Sequence, residues 1–185
     1  MSPPSSARVL YRIGRMPDPV SYPDWRFVGG ERFDDPAGQD RVLYAGEDPR
    51  ACYLETLSTF RTSMVLLARL NAMSPAEDDA PLRGNRLNLD EWRFVRRIAT
   101  LYFYLDQPWL NLRDLQVRET TRRQMASTFL ELGLSDFDMG DALTRDRRVT
   151  RAISRWAFEQ DYRAIAYSSR FDASRTWVYN SQANR

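Results

Sequence analysis

Histidine and lysine are absent from this 185-residue chain, and cysteine occurs once, at Cys52. Without histidine there can be no Ser-His-Asp or Cys-His nucleophile pair, no HExxH zinc site and no imidazole proton shuttle. Without lysine there is no Schiff base and no P-loop lysine. One thiol cannot form an internal disulfide or a multi-thiolate metal site, so we predict no bound metal and a reducing compartment. Any enzyme chemistry must use Asp, Glu, Arg, Tyr, Ser, Thr and Asn.

Long apolar runs are also missing. No stretch of about 18 apolar residues occurs, and residues 1–7 form a flexible Ser/Pro-rich tail without the apolar core of a signal peptide. We therefore expect a cytoplasmic protein with no membrane contact. The 27 arginines are interleaved with 25 acidic residues, giving a formal net charge of only +2. This mixed pattern predicts no direct nucleic-acid binding.

The remaining composition, 43% hydrophobic and 12% aromatic, predicts one folded domain over residues 8–185. Alternating or β-rich segments predict strands, and apolar residues at helical spacing predict helices. Strands are predicted at 8–14, 41–45, 63–70, 100–105, 164–168 and 176–179, and helices at 49–60, 117–132 and 147–160. The start of the first helix is marked by Asp48 at the N-cap and Pro49 at the first helical position. The fold class is α+β, with strands at both ends and helices concentrated in the middle and second half.

Glu55 is the first candidate for chemistry. On a helix its neighbours three and four residues away are all small, namely Ala51, Cys52, Ser58 and Thr59. A glutamate with nothing large covering it can form a pocket wall. It can equally be a solvated helix residue paired with an arginine, and composition alone favours that interpretation.

Two arginines and one tyrosine come next. Arg12 interrupts an apolar strand, and Arg32 opens the loop segment RFDDP. Two guanidinium groups near one pocket could hold a pyrophosphate, although pairing with acidic neighbours is the commoner role of arginine in this composition. Tyr44 ends the second strand just before a glycine, where an aromatic ring either lines a site or closes the core.

Hydroxyl groups follow the strand at 164–168. Ser168 and Ser169 lie where a ligand could reach them, and the alternative is a strand end with ordinary turn hydroxyls. Cys52 has no histidine or lysine nearby in sequence to lower its pKa, so we expect an inert thiol.

In order along the chain, four segments resemble the RES-domain family, which is named for its Arg, Glu and Ser. They are LYRIG at 10–14, ERFDDP at 31–36, VLYAGEDPRACYLETL at 42–57 and AIAYSSRFD at 164–172. The resemblance spans roughly residues 9–180, and it rests on the order and spacing of the segments rather than on any single motif.

The resemblance implies a split β-sheet core similar to the diphtheria-toxin type of ADP-ribosyltransferases, with a cleft for NAD+ as substrate and no cofactor. It implies a toxin of a toxin-antitoxin pair that either degrades NAD+ by hydrolysis or phosphorolysis or transfers ADP-ribose to a protein. The implied partner is an Xre-like antitoxin, and a homo-oligomer is compatible with the family. By position, the family's residues fall on Arg12, Arg32, Tyr44, Glu55 and Ser169, with Ser168 as the alternative serine. Glu55 and Arg32 would be catalytic, and the arginines, tyrosine and serine would bind substrate.

Two departures qualify the resemblance. Many relatives carry Arg-Trp where this chain has Arg32-Phe33, which changes the aromatic wall beside the loop arginine. The segment at about 71–147 matches little of the family pattern and is predicted to be a variable region that shapes substrate or antitoxin choice. The competing interpretation is a non-catalytic module that keeps the fold for partner binding alone.

Overall fold

The computed structural model describes residues 7–61, 64–72, 87–104, 106–144, 146–172 and 174–180. Within these ranges there are six strands and seven α-helices. The strands are β1 (Ala7–Arg15), β2 (Val42–Gly46), β3 (Arg96–Tyr104), β4 (Trp109–Asn111), β5 (Ala164–Ser168) and β6 (Arg175–Asn180). The helices are α1 (Pro49–Leu57), α2 (Met64–Ala72), α3 (Leu89–Val95), α4 (Leu115–Gln124), α5 (Ala126–Glu131), α6 (Met139–Leu143) and α7 (Arg148–Glu159).

All six strands belong to one mixed sheet in the order β3-β1-β2-β6-β5-β4. β4 and β5 are parallel, and the other neighbouring strands are antiparallel. The α+β class predicted from the sequence is confirmed.

Each face of the sheet carries its own apolar cluster, because strand side chains alternate between faces. In β6, Val178 packs on the helical face, where α7 contributes the fully buried Ile153. The neighbouring Trp177 points the other way and is also fully buried. Its indole lies 5.0 Å from the ring of Phe103 and 4.8 Å from the ring of Trp109.

Most predicted elements are confirmed, and one is wrong. The segment at 63–70 was predicted as a strand, whereas its described part belongs to α2. Its apolar residues are consecutive rather than alternating, and all except Val65 are strong helix formers such as Leu, Met and Ala. Met64 and Val65 are also largely exposed, so no buried sheet face selects the extended conformation. The predicted polar loop at 73–85 lies outside the described residues.

The middle of the chain contains more structure than the sequence predicted. β3 begins at Arg96, four residues before the predicted start at Thr100, and α3, β4 and α6 were not predicted. β3 pairs with β1 along nine residue pairs, from Ala7↔Tyr104 to Arg15↔Arg96. The segment at 71–147 therefore supplies an edge strand of the sheet.

Candidate functional site

A cleft opens where β1 and β2 part. The two strands share a single register pair, Tyr11↔Gly46. Continued pairing would next match Arg12 with Ala45 and Ile13 with Tyr44, yet all four residues line the cleft instead. The cavity has a volume of about 720 Å³. This size is within the range of small-molecule sites.

The walls of this cleft carry an excess of positive charge. Its lining includes five arginines and two glutamates. The charged residues are Arg12, Arg32, Arg96, Arg147, Arg170, Glu31 and Glu55. A concave surface with this balance attracts anionic ligands and concentrates them near the carboxylates.

Glu55 reaches the cleft from the last turn of α1. The helix begins where the sequence predicted, because the Asp48 side chain accepts a hydrogen bond from the Arg50 amide and Pro49 occupies the first turn. The Glu55 Oε1 atom accepts a hydrogen bond of 2.8 Å from the hydroxyl of Ser169. The carboxylate is therefore oriented by the neighbouring hydroxyl.

The two candidate serines have different surroundings. Ser169 is buried, its hydroxyl donates to Glu55, and its oxygen accepts from the Phe171 amide at 3.1 Å. Ser168 ends β5 in register with Arg175 of β6, and neither serine is among the residues that line the cleft. Only Ser169 is joined to the predicted carboxylate.

Arg12 bridges the two strands at the split. Its Nε donates to the carbonyl of Pro19 at 3.0 Å, and one Nη donates to the carbonyl of Tyr44 at 3.1 Å. Burial lowers the pKa of Arg12, and the nearby charge of Arg96 lowers it further. Arg12 therefore combines a structural role with a positive charge at the cleft.

Arg32 binds the end of a helix that the sequence did not predict. Its guanidinium donates to the carbonyls of Ala142 at 2.7 Å, Leu143 at 3.3 Å and Thr144 at 2.8 Å, at the carboxyl end of α6. These carbonyls have no partners within their own helix, so a cation is favourable there. The neighbouring Phe33 is fully buried and packs 4.7 Å from the ring of Tyr167. Phe33 therefore lies in the core and is not among the residues that line the cleft.

Tyr44 combines the two roles left open by the sequence. Its side chain lines the cleft, and it also packs against the core of the helical face. Its hydroxyl accepts a hydrogen bond of 2.8 Å from the Phe33 amide. Burial raises the pKa of Tyr44 well above its ordinary value, so the ring remains neutral at physiological pH.

Sequence reasoning missed several cleft residues. Tyr167 is buried in the lining, and burial together with the charge of Glu55 raises its pKa. Arg96, Leu143 and Arg147 come from the segment at 71–147, which was predicted to be variable. Of these residues only Tyr167 gave a signal in the sequence, because it belongs to the segment AIAYSSRFD that carries the family resemblance.

Cys52 also borders the cleft. Its thiol donates to the carbonyl of Tyr11 at 3.1 Å, and burial raises its pKa to about 11. This raised pKa agrees with the inert thiol expected from the sequence. Among the described residues, no group of His, Cys, Asp or Glu side chains is arranged to hold a metal ion. No helix in the described part of the chain is long and apolar enough to cross a membrane.

Comparison with known families decides what this arrangement belongs to. The family model described as the RES domain matches residues 9–184, almost the whole chain. The chain is a member of the RES-domain family. The match includes the segment at 71–147, although the role predicted for that segment stays a prediction.

A solved structure supports the fold of this RES domain. The chain is similar to a chain in the crystal structure of the M. tuberculosis MbcT-MbcA toxin-antitoxin complex, with a TM-score of 0.59 at 14% sequence identity. The similarity covers 97% of this chain and 76% of the other. No sequence among the curated proteins matches significantly.

Proposed function

We propose that this RES domain is a toxin that cleaves the bond between nicotinamide and ribose in NAD+, with water or phosphate as acceptor. The observation that carries the proposal is the Glu55 carboxylate, oriented by Ser169 at 2.8 Å within an arginine-lined cleft. A fixed carboxylate is suited to a developing cation, and arginines are suited to the pyrophosphate of the dinucleotide.

The chemistry needs none of the residue types that the chain lacks. When the C–N bond breaks, its electron pair goes to the nicotinamide ring, which leaves as a neutral molecule. Positive charge builds on the ribose, as in other glycosidic cleavages, and Glu55 stabilises that charge. The acceptor oxygen then bonds to the anomeric carbon and loses its proton. No histidine is required, because a neutral leaving group needs no strong general acid.

The roles of the other residues follow from their contacts. Arg12 and Arg32 contribute positive charge for the phosphates, and the ring of Tyr44 provides a surface for the nicotinamide or ribose. The family resemblance implies that Ser169 binds substrate. Because its hydroxyl donates to Glu55, we assign it the positioning of the carboxylate as well.

The purified protein with NAD+ labelled in the adenylate part provides the direct test. We expect nicotinamide release, with the label wholly in small products. The Glu55→Gln variant should lose about 100-fold or more in turnover while its NAD+ affinity changes little, because the interaction strengthens only in the transition state. Glu131→Gln removes the same charge from an exposed helix position and serves as the matched control.

Three outcomes would overturn this assignment or a part of it. Label recovered on protein would replace cleavage by ADP-ribosylation of a protein target. Absence of both NAD+ binding and nicotinamide release would favour the non-catalytic module. A Glu55→Gln variant that turns over NAD+ within a few-fold of wild type would remove the role of Glu55.

The toxin role has its own test. The fold resembles that of a chain from a toxin-antitoxin complex, and we propose that an Xre-like antitoxin silences this chain in the cytoplasm. Expression without a partner should slow growth and lower cellular NAD+. Co-expression with an adjacent Xre-like reading frame should restore both, whereas normal growth with a folded product would contradict the toxin role.

A further inference from the structure

One end of the β1–β3 pair concentrates positive charge beside the cleft. Arg15 and Arg96 are direct register partners there, and Ile13, two residues before Arg15, faces the same side of the pair. Ile13 and Arg96 both line the cleft, together with Arg12. Within the described ranges, no carboxylate lies within ion-pair distance of Arg12, Arg15 or Arg96.

Arg96 differs from the other arginines of the cleft in having few internal partners. Its Nε is buried and has no hydrogen-bond partner in the part of the chain that the structure describes. Its guanidinium lies 5.8 Å from the centre of the Trp92 ring, a cation–π contact that supplies no strong hydrogen-bond acceptor. Burial lowers the pKa of Arg96, and the charge of Arg15 lowers it further.

The arginines elsewhere in the cleft are already engaged. Arg32 donates to three carbonyls of α6, Arg147 forms an ion pair of 3.5 Å with Glu31, and Arg170 stacks 4.7 Å from the Phe171 ring. These contacts account for their positions in the folded protein. Among the described residues, the comparable contact of Arg96 is with the Trp92 ring alone, which leaves its buried Nε without an acceptor, and the charges of Arg15 and Arg12 repel it.

A buried donor without a partner is costly, and a cation among cations adds to that cost. An anion in the cleft beside Arg96 would supply both the hydrogen-bond acceptor and the missing negative charge. Guanidinium groups bind phosphate oxygens in a planar, two-point geometry.

We propose that Arg96, acting with Arg12, binds a phosphoryl group in the cleft. The identity of the ligand rests on the proposed function, in which the phosphoryl group belongs either to the dinucleotide or to a separate inorganic phosphate that acts as acceptor. Arg96 is thereby a substrate-binding residue outside the set indicated by the family resemblance.

Calorimetric titration of Arg96→Gln tests this subsite in phosphate-free buffer with three probes: ADP-ribose, inorganic phosphate and adenosine. We expect the affinity for a phosphate-bearing probe to fall by about tenfold to a hundredfold, which is typical of losing a charge-assisted hydrogen bond. The affinity for adenosine, which has no phosphate, should stay unchanged. Arg93→Gln, at an exposed helix position three residues away, should behave like wild type.

The pattern of losses identifies the source of the phosphate. Weaker ADP-ribose binding assigns Arg96 to the dinucleotide, and weaker inorganic phosphate binding with unchanged ADP-ribose binding assigns it to the acceptor. Arg96→Lys keeps the charge without the planar fork and should recover part of the lost affinity. The thermal melting curve of each variant shows whether it is folded.

Failure of this inference is distinguishable from failure of the proposed function. If Arg96→Gln binds all three probes within twofold of wild type, the subsite is overturned, even where wild type releases nicotinamide. If wild type releases no nicotinamide but binds phosphate through Arg96, the subsite stands and the proposed reaction falls.

Discussion

The hydroxyl of Ser169 donates a hydrogen bond of 2.8 Å to Oε1 of Glu55, joining the end of β5 to α1 across 114 residues of sequence. These are the two positions that the resemblance to the RES-domain family assigns to its serine and its glutamate.

Ser169→Ala should lower turnover more than it lowers NAD+ affinity. The change releases the Glu55 carboxylate from its fixed orientation, and we expect a loss of about tenfold in kcat, the value of one neutral-to-charged hydrogen bond. Ser168→Ala is the matched control, because it removes a neighbouring hydroxyl, opposite Arg175 at the end of β5, and leaves the Ser169–Glu55 hydrogen bond in place. Equal kcat values for the two variants would show that the hydroxyl does not position the carboxylate.

Arg12→Gln should weaken both the fold and NAD+ binding. The guanidinium donates to the carbonyls of Pro19 and Tyr44, and their loss should lower the free energy of unfolding by about 1–3 kcal/mol in a urea titration. Arg26→Gln, at an exposed position, is the control. If Arg12→Gln unfolds at the wild-type urea concentration, the strand-bridging hydrogen bonds do not contribute to stability.

Tyr44→Phe should separate the contribution of the hydroxyl to stability from the contribution of the ring to the cleft. The variant keeps the ring but leaves the Phe33 amide without its acceptor, so we expect a loss of about 1–3 kcal/mol in stability with turnover within a few-fold of wild type. Tyr44→Ala should lose both stability and NAD+ affinity. A large fall in turnover for Tyr44→Phe, measured on folded protein, would show that the hydroxyl itself acts on the substrate.

Because its pKa is raised, the Cys52 thiol should react slowly at mildly alkaline pH while the protein is folded. In the folded protein this pKa is about 11, whereas an unfolded cysteine titrates near about 8.5. Because the unfolded chain releases its proton first, this group favours folding below the unfolded pKa and progressively less as pH rises towards the folded value. Alkylation of the native protein by iodoacetamide should therefore stay slow up to about pH 9, and urea-unfolded protein should react much faster. Equal native and unfolded rates at pH 8 would contradict a protected thiol.

Short-range sequence signals, such as a capping residue or a β-rich segment, were sufficient to predict α1 and β5. The Asp48-Pro49 start defined α1, and the segment AIAYS was predicted as a strand at the observed bounds of β5. Arg96 was missed because two adjacent arginines at the start of β3 do not resemble a strand until they are paired with β1. The apolar segment at 63–70 was predicted as a strand, although it belongs to α2. A run of consecutive apolar residues fits either element, so only the helix propensity of Leu, Met and Ala distinguishes the two there.

Composition alone did not identify the candidate site residues. The positions of Arg12, Arg32, Tyr44, Glu55 and Ser169 came from the family resemblance, and the structure brings four of their side chains to the cleft and joins the fifth, Ser169, to Glu55. Their catalytic and binding roles stay predictions. The carbonyls that Arg32 binds lie about 110 residues away in sequence, in a helix that no local pattern indicated.

The single register pair between β1 and β2 has a mechanical consequence. A full ladder between these strands would close the sheet and leave no space for a ligand. With the ladder interrupted, the β1–β3 pair is held to the other four strands by one backbone register pair, by the apolar cluster of Leu10, Phe103 and Trp177, and by Arg12, whose guanidinium reaches the Tyr44 carbonyl across the gap. We therefore expect a substitution at Arg12 to act on the dimensions of the ligand site as well as on its charge.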